Sequence, residues 1–397
     1  MGFLLDLFDV PEHVTNDALD GIYKALSDGH GHDVDGIWLP MDSPLLARLV
    51  ELFTQRGLAR LDAFRMELQA WAEGARYKPG ERIARPAGAM ERWTDAERSL
   101  VKLYLEHLPS AEWTLDDYML AVDFTFQRYL PADDMRTESE WLTTRASLMG
   151  RVQASMEKLT AKQADVLLAA MPSTVDAAIA QFGGSLAQRF TMEFARERCA
   201  ENVRHLAEDA RHRMRSVIAQ HVEAKTLGLP EVGASSLETK LLDQFATLNR
   251  DWRRIAVTEA GEAQTAGYIA AQPPGTKVKR VEQYKGACAF CRKIDGKVVE
   301  VVDPAREDKD PETMIWVGKT NVGRSASPRK RVGDLLVDRE PHEMWQIPVG
   351  LVHPHCRGRW IPTIQDRPGD DPDFADWLRD TLTPDTSGQH RSDAGPA

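Results

Sequence analysis

The chain has no run of about eighteen uninterrupted apolar residues, the length that crosses a bilayer as a helix, so no membrane span is expected. It has little cysteine, four residues in 397. That excludes the disulfide-dense scaffold of a small secreted domain and fits a soluble protein made in a reducing cytoplasm. Basic residues are in deficit: the net charge of −11 argues against nonspecific nucleic-acid binding by the chain as a whole. The first residues, Met1-Gly2-Phe3-Leu4-Leu5-Asp6, lack a basic region, and Asp6 and Asp9 break their apolar run, so no signal peptide is expected. No internal repeat is present.

The length of 397 residues, 42% of them hydrophobic, predicts two or three domains with real cores. Charge is unevenly spread. Between Gly275 and Ile361 seventeen Lys/Arg face twelve Asp/Glu, so this stretch is the basic part of an acidic chain.

Most of the sequence reads as helix. Gly29-His30-Gly31-His32 is a loop whose two histidines have no third metal ligand nearby. From Pro44 to about Gly74, Leu46, Leu49, Leu52, Phe53, Leu58, Leu61 and Phe64 recur at helical spacing. Thr94 to Glu97 forms a capping box. Thr114 opens a further helix, ended by Pro131, whose aromatics Tyr118, Phe124, Phe126 and Tyr129 are core candidates. Long helices are expected over Glu138–Ala170 and Thr174–Lys225, the second broken at Gly183-Gly184. Cys199, Val203, Leu206, Ala210, Met214, Val217 and His221 mark one buried stripe, in which Cys199 is a small core residue. Gly228 to Ser236 reads as a break. Ser235-Ser236-Leu237-Glu238 then caps a helix that pauses once and runs to about Ala270.

Beyond Gln272-Pro273-Pro274-Gly275 the pattern changes to short β-branched runs at Lys277–Glu282, Lys297–Val302, Met314–Val317 and Ile347–Val352. Asp303 to Pro341 is a charged insertion with a flexible basic tip from Gly323 to Arg331. Asp366 onward is acidic, with a short amphipathic helix at Phe374–Leu382 and a disordered final fifteen residues. The expected fold class is therefore α+β and predominantly α. An N-terminal helical region covers 1–135, a long-helix connector 136–233, a small α+β domain 234–364 and an acidic tail 365–397.

Three of the four cysteines lie in two clusters, Cys288-Ala-Phe-Cys291 and His353-Pro-His355-Cys356-Arg357. The first is expected in a loop between the first two strands, the second after the last strand. Thiols two residues apart can grip one tetrahedral ion from a tight turn, and a later His-x-x-Cys can close the sphere. Cys288, Cys291 and Cys356 with His353 or His355 would suit a fully coordinated structural zinc. Two other readings stand beside it: a metal-free packed cluster, and a redox thiol. The redox reading needs the Cys-x-x-Cys at a helix N-terminus in a βαβ unit, whereas a turn into a strand follows here.

The order Arg254-Ile255-Ala256-x-Thr258-Glu259, then Cys288-x-x-Cys291-x-x-x-Asp295-Gly296-Lys297-Val298, then His353-Pro-x-Cys356-Arg357 resembles the phage Mu F-like (MuF) minor head protein domain, over roughly Leu237 to Pro362. Where that pattern has Asn this chain has His355, and where it often has a further Cys this chain has Gly358. His353 is the histidine that matches the motif, which favours it over His355 as ligand. The resemblance implies a non-enzymatic minor capsid component acting in head assembly near the portal, in the virion and, during assembly, in the host cytoplasm. Its implied partners are the portal protein and the major capsid or scaffold protein. DNA is a further expected partner, through Arg324, Arg329, Lys330 and Arg331. Two alternatives remain. One is a metal-dependent nuclease with His342 beside Glu340 or Glu343. The other is a cytoplasmic zinc-stapled binding module.

Overall fold

The computed structural model describes residues 43–86, 92–155, 160–182, 184–227, 237–282, 287–353, 356–363 and 372–382. Ten α-helices lie in them: α1 (Pro44–Ala72), α2 (Asp95–His107), α3 (Leu115–Tyr129), α4 (Ala132–Ser155), α5 (Ala161–Ala170), α6 (Val175–Phe182), α7 (Leu186–Thr226), α8 (Leu237–Ala270), α9 (Ala289–Ile294) and α10 (Pro372–Leu382). The strands are β1 (Lys277–Val281), β2 (Val298–Val301), β3 (Met314–Ile315), β4 (Arg329–Val332), β5 (Leu335–Asp338) and β6 (Arg359–Pro362). The chain is predominantly α with a small α+β C-terminal part, as its sequence pattern predicts. The helix breaker expected at Gly228–Ser236, His30 and His32, His355, and the last fifteen residues lie outside the described residues.

Contacts divide the chain into two compact units, and α1, α4, α7 and α8 contribute to both. The first comprises Met1–Gly31, Glu51–Ser139 and Glu197–Val257. Its described core is aromatic. Phe53 stacks on Trp252 with centroids 5.2 Å apart, Phe64 meets Phe245 edge-on at 5.3 Å, and Trp71 meets Phe124 at 6.0 Å. The expected core aromatics behave accordingly: Tyr118 and Phe124 are buried, Phe126 and Tyr129 half-buried. The stripe on α7 is also buried from Cys199 to Val217, and only His221 at its end is half-buried. Asp123, on α3, ties this helix down by bonds to Arg211 (2.8 Å) and Arg215 (2.9 Å). The capping boxes at Thr94–Glu97 and Thr114–Asp117 start α2 and α3 at the expected residues.

The second unit comprises His32–Val50, Glu140–Arg196 and Thr258–Ala397. In it the end of α8 packs against a four-stranded sheet of order β3-β2-β1-β6. β1 is antiparallel to both β2 and β6, and β2 runs parallel to β3. Buried Tyr268 and Ile269 of α8, Val278, Val299 and Val301 of the sheet, Ile294 and Trp360 form one core. α4 and α8 cross with almost no separation, because Gly150 lies against the backbone of Gln264 and Tyr268, and Gly267 against that of Ser147. On α4, Arg151 lies over the ring of Phe374 from α10, 4.2 Å from its centroid. That helix is the one expected near Phe374–Leu382.

The structure corrects several expectations. The helix expected over Glu138–Ala170 begins at Ala132 and divides, because Thr160 caps a new start with Gln163 in a reciprocal box. The second long segment divides at the expected glycines, with Ser185 capping α7 through Gln188 N–H. No pause interrupts α8: Phe245, Leu248 and Trp252 stay on one buried face. Ile347–Val352 is not a strand. Its apolar residues are buried, but the amide of Val349 goes to the carbonyl of Lys319, and that of Leu351 to the carboxylate of Glu262 on α8. The first bond ties the segment to the insertion and the second to α8, and the sheet edge is filled by β6 instead. The second Cys/His cluster therefore precedes the last strand. Of the expected flexible tip, Arg329, Lys330 and Arg331 form part of β4, in a β4–β5 hairpin turning at Gly333, φ +60, and residues 323–328 lead into it. Lys319 anchors the insertion, its buried Nζ donating to the carbonyls of Pro311 (2.6 Å) and Met314 (2.9 Å).

Candidate metal centre

The first thiol pair is not in a loop. Cys288 caps the N-terminus of α9, accepting the N–H of Cys291 at its Sγ over 3.4 Å, and Cys291 lies inside the helix. The six-residue helix sits between antiparallel strands β1 and β2, so the arrangement is not the βαβ unit of a thioredoxin-like site. Cys291 is fully buried because its helix presents it and Ile294 to the core.

His353 reaches this pair from the long segment before β6. Its Nε2 lies 3.5 Å from Cys291 Sγ, and its ring stacks on Trp345 with centroids 5.6 Å apart. Trp345 in turn meets Phe290 of α9 edge-on at 5.6 Å. Two aromatic contacts thus fix the imidazole against the Cys-x-x-Cys turn. The ligand atoms of Cys288, Cys291 and His353 lie within 4.8 Å of one another, so this Cys/His cluster can hold a metal ion.

Cys356 falls in an overlapping group. Its Sγ, that of Cys291 and a carboxylate oxygen of Glu282 also lie within 4.8 Å of one another, all buried. The turn that places it is closed by Cys356 N–H donating to His353 O (3.0 Å), and the N–H of Gly358 points at its sulfur over 3.4 Å. Of the four sequence-predicted ligands, three meet directly, and Cys356 adjoins them through Cys291.

Sequence reasoning missed Arg280 and Glu282. Arg280 Nε donates to Glu282 Oε1 over 2.7 Å, and both side chains are 0% exposed. Arg280 Nη1 donates to Gly350 O (3.0 Å), and its guanidinium lies over the Trp360 ring, 5.1 Å from the centroid. The signal was present in β1: Val278, Arg280 and Glu282 share the parity of one sheet face, so a buried valine predicts inward charges two and four residues later. Glu282 is also the reason for Gly358, since a Cβ at that position would overlap its carboxylate.

The two flanking thiols differ in character. Burial pushes the Cys288 thiol up, but the N–H and thiol of Cys291 and the imidazole of His353 outweigh it and hold Cys288 below its usual value. Contact with the Cys291 thiol, burial and the Glu282 carboxylate push Cys356 well up. A bound cation would draw both toward thiolate.

The other candidates sit apart. Among the described residues His342 joins neither group, and Glu343 is engaged by Lys330 (2.5 Å) and by Glu340 N–H (2.9 Å). Of the four basic residues expected to face DNA, Arg324 bonds to the carbonyls of His342 and Met344, Lys330 to Glu343, and Arg329 to Asp338. Arg331 is exposed on the same hairpin. No helix among the described residues is long and apolar enough to cross a membrane. Comparison with family models, curated proteins and solved structures returned no match to this chain.

Proposed function

We propose that this chain is a phage or prophage minor head protein, with a structural zinc at the Cys/His cluster that staples its C-terminal α+β part. The observation that carries the reading is convergence. Thr258 and Glu259, the Cys288/Cys291 turn, and His353 and Cys356, spread over about a hundred positions of the resemblance, fall in one unit. Thr258 and Glu259 are buried there on α8, while Arg254, Ile255 and Ala256 of the same helix motif are assigned to the other unit. The donor chemistry supports the metal. Two thiols and an imidazole lie within mutual reach, a third thiol adjoins, and two sulfurs receive backbone N–H groups. Three sulfurs and one nitrogen suit tetrahedral zinc with every position filled. Zinc would supply folding free energy to a region whose β-strands are two to five residues long.

In this reading the portal and the major capsid or scaffold protein are the partners, and DNA contact falls to the hairpin, on which Arg329 and Arg331 are exposed. Mass spectrometry of gradient-purified heads from cells carrying this gene tests it. The chain should co-sediment with heads. Its absence from purified heads, with particles assembling normally in its deletion, refutes the reading.

A further inference from the structure

We infer that Arg280 is a positioning residue that decides which side chains receive the metal: it holds Glu282 out of the ligand set and leaves Cys356 as the donor. The inference rests on the metal-staple reading above. Cys291 belongs to two overlapping groups, one with Cys288 and His353 and one with Glu282 and Cys356. Both meet the spatial requirement for a cation, and the carboxylate group is the more buried.

The fixed charge on Arg280 separates them. Its guanidinium is fully buried and held by Glu282 (2.7 Å), Gly350 O (3.0 Å) and the Trp360 ring, with Nη2 4.0 Å from Cys356 Sγ. A divalent ion seated between Glu282 and Cys356 would stand beside this cation in surroundings that screen poorly. Glu282 is already committed. One oxygen takes Arg280 Nε, and the backbone at Gly358 closes over the carboxylate. Cys356 Sγ, by contrast, has Gly358 N–H at 3.4 Å and Arg280 Nη2 at 4.0 Å aimed at it, the kind of outer contacts that orient a sulfur ligand. Cys288 has the corresponding bond from Cys291 N–H. The ion then belongs on the Cys288–His353 side of Cys291, with Cys356 the third sulfur and Glu282 outside the ligand set.

Cobalt(II) titration of the reduced full-length chain tests this, because thiolate-to-cobalt absorption counts sulfurs and the visible bands report geometry. The wild type should give a tetrahedral spectrum with three sulfurs and one nitrogen. Glu282→Gln should keep that spectrum and its affinity, and Arg280→Lys should keep the spectrum. Arg280→Met should bind cobalt about 10- to 100-fold more weakly and lose about a third of the thiolate absorption as an oxygen donor replaces Cys356. An unchanged spectrum and affinity in a folded Arg280→Met variant overturns the inference. So does a Glu282→Gln variant that is folded by circular dichroism yet loses affinity tenfold, since Glu282 would then be a ligand. If Arg280→Met does not fold, Glu282→Gln decides alone. No cobalt binding by the wild type defeats the staple reading itself.

Discussion

Gly358→Ala is the substitution that tests the packing around the cluster most directly. A methyl group there would overlap the Glu282 carboxylate, which cannot simply retreat. It is held at 2.7 Å by Arg280 Nε, lies 3.6 Å from Cys356 Sγ, and is 0% exposed. Two relaxations are open. The backbone at 358 can shift, at about 1–3 kcal/mol for overpacking a core. Alternatively Glu282 can swing away, leaving a buried guanidinium unpaired at about 3–5 kcal/mol. The cheaper route sets the floor, and the shift also disturbs the N–H that Gly358 sends to Cys356. A loss of about 2–3 kcal/mol is expected, or roughly 4–12 °C in Tm for a unit of this size. Thermal unfolding followed by circular dichroism, with and without chelator, measures it. Gly275→Ala is the control. Gly275 has φ +92 and nothing within 4 Å of an added Cβ, so only left-handed backbone strain of about 1 kcal/mol applies. If Gly358→Ala melts with the wild type while Gly275→Ala does not, the carboxylate is not where the argument needs it.

Four further outcomes are expected. Cys291→Ser should abolish zinc in the purified chain, measured by elemental mass spectrometry, and lower the stability of the C-terminal part; a full equivalent of zinc in this variant contradicts the shared-ligand role of Cys291. Gly261→Ala should raise stability by about 0.5–1 kcal/mol, because the helical site has only ordinary contact with Leu351. Gly150→Ala should lower it by about 1–3 kcal/mol, because the methyl would meet backbone of α8; urea unfolding that ranks the two the other way disproves the close crossing. Asp117 adds a pH dependence. Burial raises its pKa, but bonds from Thr114, Arg85 and Tyr104 outweigh this and hold the carboxyl below its usual value. A depressed carboxylate stabilises the fold above its unfolded pKa of about 4 and loses that contribution as pH falls through the folded value. The stability advantage over Asp117→Asn should therefore be full at pH 7 and shrink below about pH 4; an advantage independent of pH from 7 to 2 counts against it.

Much of the helical part was legible because its signals are local. The capping boxes at Thr94 and Thr114 state where a helix starts whatever surrounds it, and the stripe from Cys199 to Val217 states which face is buried. The same kind of signal lies at Thr160, where the side chain of Gln163 closes the box and divides into two helices a stretch whose apolar pattern alone suggests one. The β-rich end was less legible. Its runs are too short for periodicity to separate a strand from a buried loop, and Ile347–Val352 carries the apolar content of a strand without strand pairing.

The sequence by itself determined that helices dominate, that the cysteines pair off as a turn and a later His-x-x-Cys, and that their region is the basic part of the chain. Residue type and spacing suffice for these, since capping, amphipathic period and ligand chemistry act over a few residues. Only the tertiary structure decided that Cys288 and Cys291 head a helix, that His353 returns to them across 62 residues, and that Arg280 and Glu282 are buried beside Cys356. Those facts depend on strand pairing and on which amide the Glu262 carboxylate takes. Contacts of that range cost chain entropy that only the assembled core repays, and no local pattern encodes them.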